Sequence, residues 1–433
     1  MSMLSFYVKE RGMVNLPRRV GTILHRFGLS EAKMAMALDA YMQVTDRYEC
    51  TPTFPVTTIA LKRSPGTIQR LRDRGAELAV HGYVHTDYGS LDLMVQKRHI
   101  QKACDEFERH GIPFSGFRCP YYRWNEDTWQ VGADGGFLYS SNRVAHWDCV
   151  KADDFAPSQW ASYQKALKLY SSRPAESSVL LPYFVKGMVE IPVSIPDDEA
   201  LVERLGVASA EHKAKIWSHI LAGTYERGEI FTLSLHPERI YHCREALDTV
   251  LARARDMNPR VWIASLTQVD AWWRERATFF LKGMEKAPGL YGVRASTSSR
   301  GTILVRGARV NKSTQPWYPP YSIVDAREFE VESQVRPFIG LHPEAPQSLV
   351  DFLQGEGHVV ERSSNRQAYG VYLDGSSALD EEGRRAIIDR IERSPAPLVR
   401  LWRWPEGARS CLAVTGDIDS IKLADFFLRP FEA

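Results

Sequence analysis

Glu77-Leu78-Ala79-Val80-His81-Gly82-Tyr83-Val84-His85-Thr86-Asp87 is a short apolar run that closes on two histidines four residues apart. Neutral imidazole is the commonest protein ligand for zinc and related ions, and two such rings separated by one turn of chain can bind a single ion. The pair alone equally fits two loop histidines in ordinary hydrogen bonds, because 12 histidines are spread over 433 residues. What decides between the readings is where suitable partners lie along the rest of the chain.

Outward from this run, strand and helix patterns alternate. A helix over Glu31 to Tyr48 carries Met34, Leu38, Tyr41, Thr45 and Tyr48 on one face, behind Ser30 as its N-cap. A β-branched strand lies within Pro52 to Leu61, followed by Ser64-Pro65-Gly66 and a helical stretch over Thr67 to Arg74. After the histidine run come a helix over Leu91 to His110, a strand from Phe114 to Phe117 and another from Phe137 to Ser140. Met188 to Ile195, a helix near Glu211 to Tyr225, Glu229 to Leu235, a helix near Cys243 to Asp256 and Val261 to Ser265 continue the rhythm. Such alternation predicts parallel strands joined by crossover helices, as an open sheet or a barrel. Beyond about Phe280, strand patterns at Gly301 to Val310, Glu328 to Val335 and Tyr369 to Leu373, with helices at Gln347 to Leu353 and Glu381 to Ser394, form a smaller α+β unit.

Composition excludes several classes. With 44% hydrophobic and 25% charged residues the chain is an ordinary globular one, and a net charge of +2 with interspersed signs gives no footprint for nucleic acid. Six cysteines without paired spacing fit reduced thiols, and Met1 to Arg19 holds no signal-peptide run, so the expected location is the cytoplasm, with no integral membrane segment.

In barrel-like α/β folds the reactive residues sit just past the C-terminal ends of parallel strands. His81 with His85, Arg118, His236, and Asp417 with Asp419 all meet that condition. Two histidines leave a metal short of a third protein ligand, and none of the acids upstream of His81 closes an apolar strand. Thr415-Gly416-Asp417-Ile418-Asp419 does follow one, and in extended chain its two carboxylates lie on one side. The bland alternatives are an Asx turn capping a helix for the aspartates, a surface ion pair for Arg118 and a loop histidine for His236.

HGYVH at 81 to 85, FRCPYYRW at 117 to 124, LSLHP at 233 to 237 and TGDID at 415 to 419 together resemble the motifs of NodB-type polysaccharide deacetylases, the carbohydrate esterase family 4 group. The resemblance spans roughly Glu31 to Arg276 plus the last two dozen residues. It implies an α/β fold, an irregular (β/α) barrel whose first strand is supplied by the C-terminus, since the family's aspartate motif comes first and here comes last. That order looks like a circular permutation. The implied division is 1–280 as the barrel, 281–399 as the accessory α+β unit and 400–433 as the returning segment, with Arg400 to Thr415 supplying the strand. Gly416 stands where the family usually has an aromatic, Ile418 separates aspartates that are often adjacent, and Cys119 and Tyr122 alter the arginine motif.

Carried over residue by residue, the resemblance implies a divalent metal, most often Zn2+, on His81, His85 and Asp419. Asp417 is then the base, Arg118 its partner, His236 the acid, and the backbone N–H of Tyr121 an oxyanion donor. The implied reaction removes acetyl groups from an N-acetylated sugar or glycan precursor. An amidase on a non-sugar C–N bond and an inactive glycan-binding relative remain as rival readings. Trp124, Trp129, Trp147 and Trp217 could line a sugar groove or belong to the core.

Overall fold

The computed structural model describes residues 26–375 and 379–428; Met1 to Arg19 lies outside them. The histidine run forms the strand Glu77–Val80, inside a twelve-stranded sheet. From one edge the order is Arg173–Pro174, Val144–His146, Val193–Ile195, Ile230–Leu235, Ser410–Gly416, Thr53–Val56, Glu77–Val80, Gly116–Phe117, Tyr139–Ser140, Met188–Glu190 and Tyr183–Val185. Val261–Ile263 pairs off this path with Ser410–Gly416. Every pairing is parallel except the edge hairpin Tyr183–Val185 with Met188–Glu190. The sheet curls into a half-barrel, a mixed α/β architecture.

The strand Ser410–Gly416 comes from the far end of the chain and sits at the sheet's centre. All seven of its residues are buried, as an apolar run such as Cys411-Leu412-Ala413-Val414 demands when helices or loops cover both faces. Its register aligns Cys411 through Gly416 with Ile230 through Leu235 on one side. On the other side Val261–Ile263 takes its first half, and Thr53 meets Thr415. Gly416 has a packing reason: a Cβ there would lie 2.6 Å from Phe54 Cε1. Phe54 stacks edge-on against Tyr41, whose hydroxyl donates to Thr415 O at 3.0 Å. Helix Ala32–Asp46 thus supplies aromatic bulk beside Gly416.

Several boundaries differ from the sequence reading. The strand expected within Pro52 to Leu61 stops at Val56, and Thr58–Arg63 is helical. The Thr57 hydroxyl donates to Asp419 O and the Thr58 hydroxyl to Gly82 O, which turns the chain away from the sheet. Met188 to Ile195 splits into two strands because the Glu190 carboxylate draws in the amides of Asn142 and Arg143. Helices also form outside the expected ranges: Glu126–Asp134 and Leu266–Arg276, which begin at side-chain caps on Asn125 and Ser265, and Pro157–Leu169, which opens with Pro at its first position.

The accessory unit consists of two four-stranded sheets and a three-stranded parallel sheet in the order Val360–Arg362, Arg336–Leu341, Tyr369–Leu373. Leu398–Leu401, which straddles the expected boundary at 399, pairs with Ile303–Arg306 in this unit, and the returning strand begins only at Ser410. The connection between them is anchored by Trp402 and Trp404, whose indole N–H groups donate to Ala408 O and Gly228 O. Glu229 and Arg385 form a buried ion pair between the foot of the half-barrel and the accessory helix Glu381–Arg393.

Candidate metal centre and catalytic groups

His81 follows directly on the strand Glu77–Val80, and its amide donates to Val56 O at 2.9 Å. Gly82 then adopts φ +74°, in the left-handed region open to glycine, where a Cβ would strike the Tyr88 ring at 2.8 Å. That turn brings His85 back beside His81, with ring centroids 5.3 Å apart. Asp419 arrives from the returning strand, held by Thr57. One Asp419 carboxylate oxygen lies 3.4 Å from His81 Nε2 and 3.2 Å from His85 Nε2. Among the described residues these three form a group whose ligand atoms all lie within 4.8 Å of one another.

The donor set fits a divalent cation. His81 Nδ1 is 2.9 Å from Arg118 O, and a carbonyl can only accept, so that nitrogen carries the proton and Nε2 presents its lone pair. A lone pair and a carboxylate oxygen facing each other at this distance suit a cation between them. Two imidazoles and one carboxylate are also a three-ligand set that leaves a position open.

Asp417 stands two residues earlier and turns a different way. Its Oδ2 is 4.0 Å from His81 Nε2, and its Oδ1 accepts from Arg118 Nη1 at 2.7 Å. Arg118 is fully buried, with further bonds to Ser141 O and Oγ, Ser234 Oγ and Thr415 Oγ1. Burial opposes its charge, and the Asp417 carboxylate outweighs burial and keeps it protonated. Arg118 is therefore no surface ion-pair residue. Tyr121 lies edge-on to His85 at 4.4 Å. Its φ of 59° and that of Tyr122, 55°, put two bulky residues in the left-handed region, at a cost of roughly 1–3 kcal/mol each.

His236 ends the strand Ile230–Leu235, next to Asp417, whose amide donates to Leu235 O at 2.9 Å. Asp198 holds it at two points, with Oδ1 at 2.7 Å from His236 Nδ1 and Oδ2 accepting from His236 N at 2.8 Å. Burial favours the neutral ring, but the Asp198 carboxylate prevails and raises the imidazole pKa to about 10. Asp198 was missed in the sequence although its signal was there: like the others, it lies just past a strand end, that of Val193–Ile195. Of the four tryptophans, Trp129, Trp147 and Trp217 are core residues, while Trp124 is partly buried and stacks on Trp129 at 4.7 Å.

A histidine-carboxylate cluster thus sits at the strand ends of a curled α/β sheet, beside an arginine-held aspartate and an aspartate-held histidine. Residues 35–140 match the family model for polysaccharide deacetylase. Among individual relatives, the chain is 27% identical over 227 residues to a peptidoglycan deacetylase-like protein, FGM2, of Gibberella zeae. That match takes in 48% of this chain and spans 63% of the relative's length. A crystal structure from Mycobacterium smegmatis assigned to the polysaccharide deacetylases overlaps 59% of this chain and 82% of its own, with 22% identity and a TM-score of 0.44. Puue allantoinase overlaps 55% of this chain and 72% of its own, with 17% identity and a TM-score of 0.43.

Proposed function

We propose that this chain is a metal-dependent hydrolase that removes acetyl groups from N-acetylated sugars of a glycan or glycan precursor. The observation that carries the proposal is a single Asp419 carboxylate oxygen facing the Nε2 atoms of both His81 and His85, with Asp417 beside them. A divalent ion on His81, His85 and Asp419, Zn2+ in this reading, supplies a Lewis acid for the acyl oxygen and the attacking water.

This chain's own groups divide the proton work. Asp417, aimed by Arg118, accepts a proton from the water that attacks the acetyl carbon. The backbone N–H of Tyr121 donates to the oxygen that becomes negative as the carbon turns tetrahedral. His236, kept protonated by Asp198, gives its proton to the sugar nitrogen as the C–N bond breaks. The products are acetate and a free amino sugar. All six cysteines are free thiols, which supports a reducing surrounding, with the cytoplasm proposed.

The position of the aspartate strand at the end of the chain is, in the same reading, a circular permutation of the family order. Gly28 pairs with Lys422, and Leu423 N donates to Gly28 O at 3.0 Å, so the two ends that such an exchange would join lie side by side.

Acetate release from N-acetylglucosamine oligomers tests the activity. The expected result is release that stops on chelation and returns with Zn2+. No acetate from any oligomer, with ammonia or amine released from small non-sugar amides instead, would move the assignment to an amidase.

A further inference from the structure

Asp198 has a second cationic neighbour besides His236. Arg239, on the short turn that follows His236, is only 5% exposed, and its amide donates to His236 O at 2.9 Å. Its Nη1 lies 3.9 Å from Asp198 Oδ2 and 3.1 Å from Glu238 Oε1, and its Nε donates to Glu203 Oε1 at 3.0 Å. Glu203 also pairs with Arg26. Two cations thus draw on one carboxylate that is itself withdrawn from water.

We infer that Arg239 is a positioning residue for the proton donor: by sharing the Asp198 carboxylate it limits how tightly that carboxylate holds the protonated His236 ring. This inference rests on the proposed role of His236 as the acid. A carboxylate that serves an imidazolium alone would make the ring a poor acid near neutral pH, because proton donation weakens as the donor's pKa rises above the working pH. A buried guanidinium beside the same carboxylate opposes that drift, since a like charge disfavours the charged ring.

The groups acting on His236 come from three elements. Asp198, with Asp197 and Glu199 beside it, belongs to the turn Glu199–Arg204 and its approach; Glu238 and Arg239 lie on the ring's own turn; Asp417 and Asp419 follow the adjacent strand. Asp198 and Glu238 favour the charged ring, and Arg239 is the cation acting against it. Helix Ala32–Asp46, which covers this turn, contributes the neutral hydroxyl of Tyr41.

NMR titration of the His236 ring in the full, metal-free chain tests the inference without requiring turnover. At pH near 10 the wild-type ring should be about half protonated. Arg239→Met should move the midpoint up by about one pH unit and Arg239→Lys should leave it near the wild-type value, while Glu238→Gln should move it down. An unchanged or lowered midpoint in Arg239→Met overturns the inference; if that variant does not fold, the same lack of a rise in Arg239→Gln does so. A correct pattern of midpoints in a chain that releases no acetate would uphold the coupling of Arg239 to His236 and reject the deacetylase reading instead.

Discussion

Asp417 and Asp419 are separated by one residue, yet their surroundings divide their work. Asp417 is tied to a buried guanidinium, while Asp419 turns to two imidazoles. Replacing Asp417 with Asn should leave metal binding intact and lower the rate of acetate release by about 10²–10⁴-fold, as loss of a positioned base does. Metal content measured on the same sample checks that the two effects separate. His236 carries a stability signature of its own. Its folded pKa of about 10 lies above the unfolded value near 6.5, so its protonated form favours the folded chain. That contribution is fully present below pH 6.5 and is lost as pH rises through about 10. Melting temperatures of the metal-free chain should fall across this window, and His236→Gln should remove that part of the slope. An unaltered slope in the variant would contradict the Asp198 pairing.

Among the elements, legibility followed the range of the interactions that fix each one. Glu77–Val80 and Tyr369–Leu373 match their sequence reading to the residue, because each is a short apolar run bounded by turn residues. His81, His85, Arg118, His236 and the two aspartates were legible because each follows a strand, where one rule of placement covers them all. Asp198 obeys the same rule, but its purpose depends on a histidine 38 positions away, a pairing no local pattern contains. The boundary expected at 399 cuts the strand Leu398–Leu401 because its partner, Ile303–Arg306, is set by long-range register. Gly416 shows the same limit at one position: only the Phe54 ring explains it. Gly416→Ala should therefore destabilise the chain by about 1–3 kcal/mol through overpacking, measured by denaturant unfolding. Stability equal to wild type would show that the Phe54 ring moves aside freely.

For the whole molecule, the returning strand makes the centre of the half-barrel depend on both ends of the chain. A rearranged chain running from Trp402 to Leu428, through a short linker, and then from Arg26 to Leu401 should fold with the same secondary structure, because Gly28 and Lys422 already pair. A chain that aggregates in this order would argue that the present connection is required for folding. The dependence of His81 and His85 on a carboxylate from the far end of the chain is tested by the stoichiometry of bound divalent metal. Equilibrium dialysis against Zn2+ with elemental analysis should give one ion per wild-type chain and a clear loss in Asp419→Asn, with the fold retained by circular dichroism. Full occupancy in that folded variant would contradict that dependence.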